Sequence, residues 1–143
     1  MIKYPLDFHT EVKSSSGINT TFEGQVEDYP AVVCAIPPSF DGPGGGYSPE
    51  DLYIMAISSC FIATFKVFAE KSGLIFNEIH ANASLIIDRN KLGIPELQKV
   101  DLVFTLSGVE DQKKANTILA ESEKFCLVAN ASKSEKTFKY VFA

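Results

Sequence analysis

Ser48-Pro49-Glu50-Asp51-Leu52-Tyr53-Ile54-Met55-Ala56-Ile57-Ser58-Ser59-Cys60 is the stretch that decides how the rest of the chain is read. Ser48 is a strong helix-capping type, and Pro49 suits the first helical position, where no backbone N–H is needed. Asp51 stands three residues after Ser48, as in a capping box. The spacing predicts a helix over 49–71, with Gly73 as its C-terminal stop. Residues 52–57 are apolar without a break, and at about 100° per residue they reach every face of that helix. A helix apolar all round has to be covered on all sides. One layer of sheet from so short a chain covers one side, so a second copy of the chain is expected on the other. The expectation is a long buried central helix inside an intertwined homodimer.

Upstream of the helix, residues 37–49 hold Pro37, Pro38, Pro43, Pro49, Gly42, Gly44, Gly45 and Gly46. Such a run is neither helix nor central strand, so it predicts a long loop, a kind of segment that often carries function. Before it, residues 6–13 alternate, with Leu6, Phe8 and Val12 on one face. Residues 14–17 read as a turn, 18–23 as the returning strand of a hairpin, and 29–36 as a third strand. Downstream, 80–87 and 99–107 read as strands joined by 88–96. A second helix is predicted over 111–124 and a last strand over 137–142, where Phe138, Tyr140 and Phe142 alternate. The order βββαββαβ is α+β, since strands come in groups rather than alternating singly with helices. No repeat or linker interrupts the chain, so residues 1–143 are expected to form one domain.

Composition narrows the function. The chain has 143 residues, 45% of them apolar and 22% charged, a globular profile. Its 13 Lys+Arg against 18 Asp+Glu leave a net charge of −5, which argues against nucleic acid as a partner, because phosphate binding needs a basic face. The longest apolar candidate, 52–65, is broken by Ser58 and Ser59 and ends at Lys66, so no membrane span is expected. Residues 1–10 carry charges and Pro5 without an apolar core, so no secretion signal is read and the cytoplasm is the expected location. The three cysteines are then expected as reduced thiols, buried or reactive.

Cys60 falls 12 residues after Ser48, about 18 Å along the helix, too far for the N-terminal dipole to activate it. A reactive Cys60 needs a cation or a hydrogen-bond donor from elsewhere, and the plain alternative is an inert core cysteine. Cys126, after the second helix, has the same two readings, and Cys34 in an apolar strand reads as a packing residue. Cys34, Cys60, Cys126, His9 and His80 show no metal-ligand spacing, so no metal is expected. No nucleophile elbow, P-loop or dinucleotide fingerprint is present. Residues 42–46 lack the following Lys-Ser/Thr of a phosphate cradle, which leaves their glycines to turn geometry.

These residues resemble a known family. Ser48-Pro49-Glu50-Asp51-Leu52, then Ala56, Cys60, Ala69 and Gly73, is similar to the central helix of the OsmC/Ohr proteins, the osmotically induced and organic hydroperoxide resistance proteins. Cys126, followed by Asn130-Ala131 and a closing strand, is the second match, so the resemblance spans nearly the whole chain. It implies a homodimer and a stress-related, antioxidant peroxidase in which Cys60 attacks an organic hydroperoxide and becomes a sulfenic acid. It further implies that Cys126 condenses with that sulfenic acid to a disulfide, and that a dithiol or a lipoyl protein reduces it, with no bound cofactor. Glu50 matches the family's active-site carboxylate. It lies ten residues before Cys60, about 15 Å along one helix, so a site using both is expected across the two copies of a dimer. The family's hairpin arginine is missing. The single arginine, Arg89, falls between two later strands, and Lys13 stands near the hairpin position as a point-charge substitute without the bidentate fork. Leu127 also replaces the proline that commonly follows the second cysteine. The competing expectation is a non-catalytic dimer of the same fold, binding a small apolar ligand beside the helix while its cysteines only pack.

Overall fold

In the computed structural model, which describes all 143 residues, the predicted cap closes reciprocally. The Asp51 N–H donates to Ser48 Oγ at 3.0 Å and the Ser48 N–H donates to the Asp51 carboxylate at 3.0 Å. From this cap the helix α1 runs over Pro49–Ser72. It stops at Gly73, whose φ of +67° is the left-handed turn that glycine takes at no steric cost, and the Leu74 N–H closes the end on the Ala69 carbonyl at 2.9 Å. By chain contacts the molecule divides into two units, Met1–Leu52 and Tyr53–Ala143.

The first unit is a three-stranded antiparallel sheet of β1 (Glu11–Ser14), β2 (Phe22–Gln25) and β3 (Val32–Cys34), in that order, with Lys13 opposite Glu23 and Phe22 opposite Cys34. The strands are shorter than the apolar alternation predicts and the first two are shifted toward the C-terminus. The cause is a lack of partners within the unit: Leu6, Phe8, Val12 and Tyr29 are exposed, and only Cys34, Ala35 and Ser48 are buried. The proline- and glycine-rich segment is ordered. It makes one 3-10 turn at Pro38–Phe40 and returns beside β3, where the Tyr47 N–H donates to the Val33 carbonyl at 2.9 Å and the Ala35 N–H to the Tyr47 carbonyl at 3.1 Å. Close approach is what its glycines serve: a Cβ on Gly42 would sit 2.1 Å from the Ile36 oxygen, and one on Gly46 2.8 Å from the Val33 oxygen.

The second unit pairs β4 (Glu78–Arg89) antiparallel with β5 (Pro95–Ser107), and β5 parallel with β6 (Glu135–Phe142). A parallel return needs a crossover, supplied by α2 (Gln112–Phe125) and a five-residue helix, α3 (Leu127–Ala131), which the sequence analysis does not anticipate. Alternate residues of β5, Val100, Leu102, Phe104 and Leu106, are buried in the same core as Ile57, Phe61, Phe65 and Ala69, which recur every four residues on α1. Phe61 stacks on Phe104 with ring centroids 4.0 Å apart, beside Phe138 and Tyr140. From α2 come Ala115, Ile118 and Leu119. The βββαββαβ order and the α+β class hold, with α3 added.

One expectation about α1 needs adjusting and another is met. Its 24 residues reach a mean hydropathy of 1.8 over 18 residues, enough in length and composition to cross a membrane, because isolated serines do not lower the mean as they interrupt a run. As expected, its apolar residues are not all buried in the single chain: Met55 is 43% and Val67 51% exposed.

A candidate dithiol site

Phe125 ends α2 and packs edge-on against Phe68 of α1, ring centroids 5.7 Å apart, with the Lys124 ammonium 5.4 Å above the Phe125 ring. This contact docks the end of α2 on α1 and delivers the next residue, Cys126, to the turn of α1 that holds Ile57 and Cys60. Cys126 is completely buried, whereas Cys60 is partly open to solvent. The two thiols are near enough for Cys60 to act on the Cys126 proton, although 66 residues separate them (126 − 60). Cys126 has one proton to give, and it donates it to the Ile57 carbonyl of α1 at 3.9 Å.

Burial pushes the Cys126 thiol up to about 11, and the adjacent Cys60 sulfur pushes the same way. The backbone N–H of Ala129 at the head of α3 opposes burial more strongly than Cys60 reinforces it, and the Val128 N–H adds a smaller opposition, although Cys126 closes no true capping hydrogen bond there. Cys126 therefore keeps its proton at neutral pH and directs it to the Ile57 carbonyl.

Glu50 and Lys13 belong to the first unit. Glu50 sits half-buried in the first turn of α1, and its Oε2 is buried without a hydrogen-bond partner. Lys13 is exposed on β1, lining a shallow groove with Glu11, Val12, Glu23 and Gln25. Cys34 is buried in the same unit at the end of β3. Arg89 is committed to the hairpin between β4 and β5, where its guanidinium donates to the Gly93 carbonyl. His9 pairs with Asp7 at 3.0 Å in the open, and no group of three or more His, Cys, Asp or Glu gathers anywhere.

Two features of the second unit escape sequence reading. An apolar groove of about 360 Å³ lies between α1 and α2, lined by Phe68, Ile118 and Phe125 with Lys71 and Glu121 among its polar residues. A hydroxyl cluster joins Tyr53 to Ser132 and Ser134, whose only signal in the sequence is a polar-tipped Tyr53 inside an apolar run.

Residues 42–141 match the family described as OsmC-like protein. This chain belongs to the OsmC-like family. An uncharacterized protein of Bacillus subtilis (strain 168), YmaD, is 24% identical over 131 residues, 87% of each chain. Solved structures share the OsmC-like fold at lower identity. An OsmC-like protein of unknown function from Vibrio cholerae superposes with a TM-score of 0.83 at 17% identity, over 96% of this chain and 100% of that one. An organic hydroperoxide resistance protein OsmC from Legionella pneumophila gives a TM-score of 0.75 at 19% identity, over 97% and 99% of the two chains.

Proposed function

We propose that this OsmC-like protein is a thiol-dependent redox protein that reduces organic hydroperoxides, with Cys60 attacking and Cys126 resolving. The observation that carries this reading is that Cys126, 66 residues further along the chain (126 − 60), is hydrogen-bonded to the Ile57 carbonyl one turn before Cys60 and has its proton affinity raised by Cys60. The name of the Legionella relative, an organic hydroperoxide resistance protein, points the same way.

In the first step the Cys60 thiolate attacks the distal oxygen of ROOH. The S–O bond forms, the O–O bond breaks, and the departing alkoxide takes a proton and leaves as ROH. The Cys126 sulfur then attacks the sulfenic acid; the S–S bond forms and hydroxide leaves with the Cys126 proton as water. An external dithiol, such as a lipoyl group, returns the pair to its reduced state by exchange, so the cycle uses no bound cofactor. Cys60 takes the first role because it is the sulfur open to solvent, while Cys126 is buried and protonated.

Glu50 and Lys13 enter through a homodimer, in which Glu50 of one copy faces Cys60 of the other and Lys13 supplies positive charge. Support for the second copy comes from the exposed Met55 and Val67 on α1 and from the uncovered apolar residues of the first unit. The unpartnered Glu50 Oε2 is a carboxylate oxygen still in need of a donor. The cytoplasm is the proposed setting, since thiols there are kept reduced.

Titration with cumene hydroperoxide tests the reading. Wild type is expected to lose two free thiols per chain and Cys60→Ser none by disulfide formation; a wild type that keeps all three under excess peroxide rejects the enzyme. The second reading, a non-catalytic dimer holding a small apolar ligand, is favoured by the groove at Phe68, Ile118 and Phe125. It predicts the same ligand affinity in wild type and Cys60→Ser.

A further inference from the structure

The hydroxyl cluster at Tyr53 has one consistent proton arrangement. Ser134 Oγ donates to the Leu97 carbonyl, which can only accept, so the Ser134 proton is committed there. Tyr53 Oη lies 2.6 Å from Ser134 Oγ and must then be the donor to it. With its single proton spent, Tyr53 accepts from Ser132, whose Oγ in turn receives the Ser134 N–H at 3.3 Å. The hydroxyls form a directed chain, Ser132 to Tyr53 to Ser134 to Leu97, with every proton used. Lys136 secures the same segment by donating to the Ser132 and Ser134 carbonyls, each at 2.8 Å.

Its place in the fold gives this clamp a consequence for the thiols. Ser132 is the C-terminal cap of α3 and Cys126 its N-terminal cap, so the clamp and the resolving sulfur are opposite ends of one short rod. On α1, Tyr53 and Cys60 are seven residues apart, two turns with only about 20° of drift, and therefore share a stripe. Seven residues at helical rise span about 10.5 Å, and the six from Cys126 to Ser132 about 9 Å. Two cross-links thus join α1 to the two ends of α3: Tyr53 with Ser132 at one end, and the Ile57 carbonyl, one turn before Cys60, with Cys126 at the other.

We propose that Tyr53 is a positioning residue for the Cys60–Cys126 pair: its hydroxyl pins the far end of α3 and so holds Cys126 against the turn of α1 that carries Ile57 and Cys60. The inference rests on the pair being a redox couple. A five-residue helix is too short to be rigid by itself, and without the clamp it would gain freedom that disulfide formation must remove.

The test is thiol–disulfide equilibrium, free of peroxide. Wild type, Tyr53→Phe and Tyr140→Phe are equilibrated across ratios of oxidised to reduced dithiothreitol, and the Cys60–Cys126 disulfide is counted by alkylation and peptide mass. In this exchange the protein dithiol loses two electrons and two protons, and the dithiothreitol disulfide gains them. Tyr53→Phe is expected to lower the equilibrium constant for the protein disulfide about fivefold or more, the scale of one lost hydrogen bond. Tyr140→Phe, which removes the bond to Glu123 elsewhere in the same unit, is the control for general destabilisation and is expected to leave the constant unchanged. Should Tyr53→Phe fail to fold, Ser132→Ala removes the donor to Tyr53 together with the acceptor of the Ser134 N–H and is expected to act in the same direction, with Ser132→Thr restoring the constant. An unchanged or raised constant in Tyr53→Phe, or an equal shift in Tyr140→Phe, overturns the proposal, as does a wild type that forms no disulfide at any ratio. A shifted constant in a protein whose thiols ignore cumene hydroperoxide would sink the peroxidase reading and leave the positioning role intact.

Discussion

Cys126 is the residue whose environment has the sharpest thermodynamic consequence. Its folded pKa lies near 11, above the roughly 8.5 of a free thiol, so the folded state holds this proton more tightly than the unfolded chain does. The stability this supplies is complete below pH 8.5 and is lost as pH rises through 11. Under reducing conditions, the stability gap between wild type and Cys126→Ala should narrow over that window by up to about 3 kcal/mol, followed by urea unfolding at successive pH values. Tyr140, raised above the ordinary tyrosine range chiefly by burial, drains stability at high pH too, but equally in both proteins, so it cancels from the gap. A gap that stays constant from pH 8 to 11 would mean that the sulfur is not held in a site hostile to its anion.

Among the elements, α1 is held by one face and one cap, and each has a separable cost. Phe61→Ala empties the space between α1 and β5 where Phe104, Phe138 and Tyr140 meet, and should cost about 3–5 kcal/mol in urea unfolding. Ser48→Ala removes only the acceptor for the Asp51 N–H and should cost about 1 kcal/mol. The contrast also explains what could be read from the sequence. The cap at Ser48, the stop at Gly73 and the alternation along β5 are written within a few residues of where they act, and the elements they specify are present. Three features are not local. The parallel register of β6 on β5 joins Lys99 to Glu135, and the five-residue α3 has no side-chain cap to announce it. Strand ends in the first unit also depend on what covers Leu6, Phe8 and Val12, which nothing in that unit does. The thiol site divides the same way. Cys60 and Cys126 stand out by residue type and by their family resemblance, whereas Tyr53, Ser132 and Ser134 meet across 79 and 81 residues of sequence and read only as a helix tyrosine and a polar loop.

At the scale of the whole molecule, the proposed second copy would cover the exposed apolar residues and offer a donor to the unpartnered Glu50 oxygen. Wild type should sediment as a dimer at micromolar concentration, with a Tm that rises with protein concentration. Met55→Glu, which puts a charge on the exposed face of α1, should weaken association at least about tenfold. Whether the site is shared is a sharper question, and mixing separates the answers. A protein with Glu50→Gln and another with Cys60→Ser are each expected to be inactive toward cumene hydroperoxide. If Glu50 of one copy serves Cys60 of the other, the mixed dimer regains one complete site. Random exchange of subunits then restores about a quarter of wild-type activity, because half the dimers are mixed and each holds one of two sites. If the carboxylate serves its own chain, every site in every mixture lacks one group and nothing returns. Full exchange, verified by mass, with no recovered activity would therefore exclude the shared site even if the protein is a dimer.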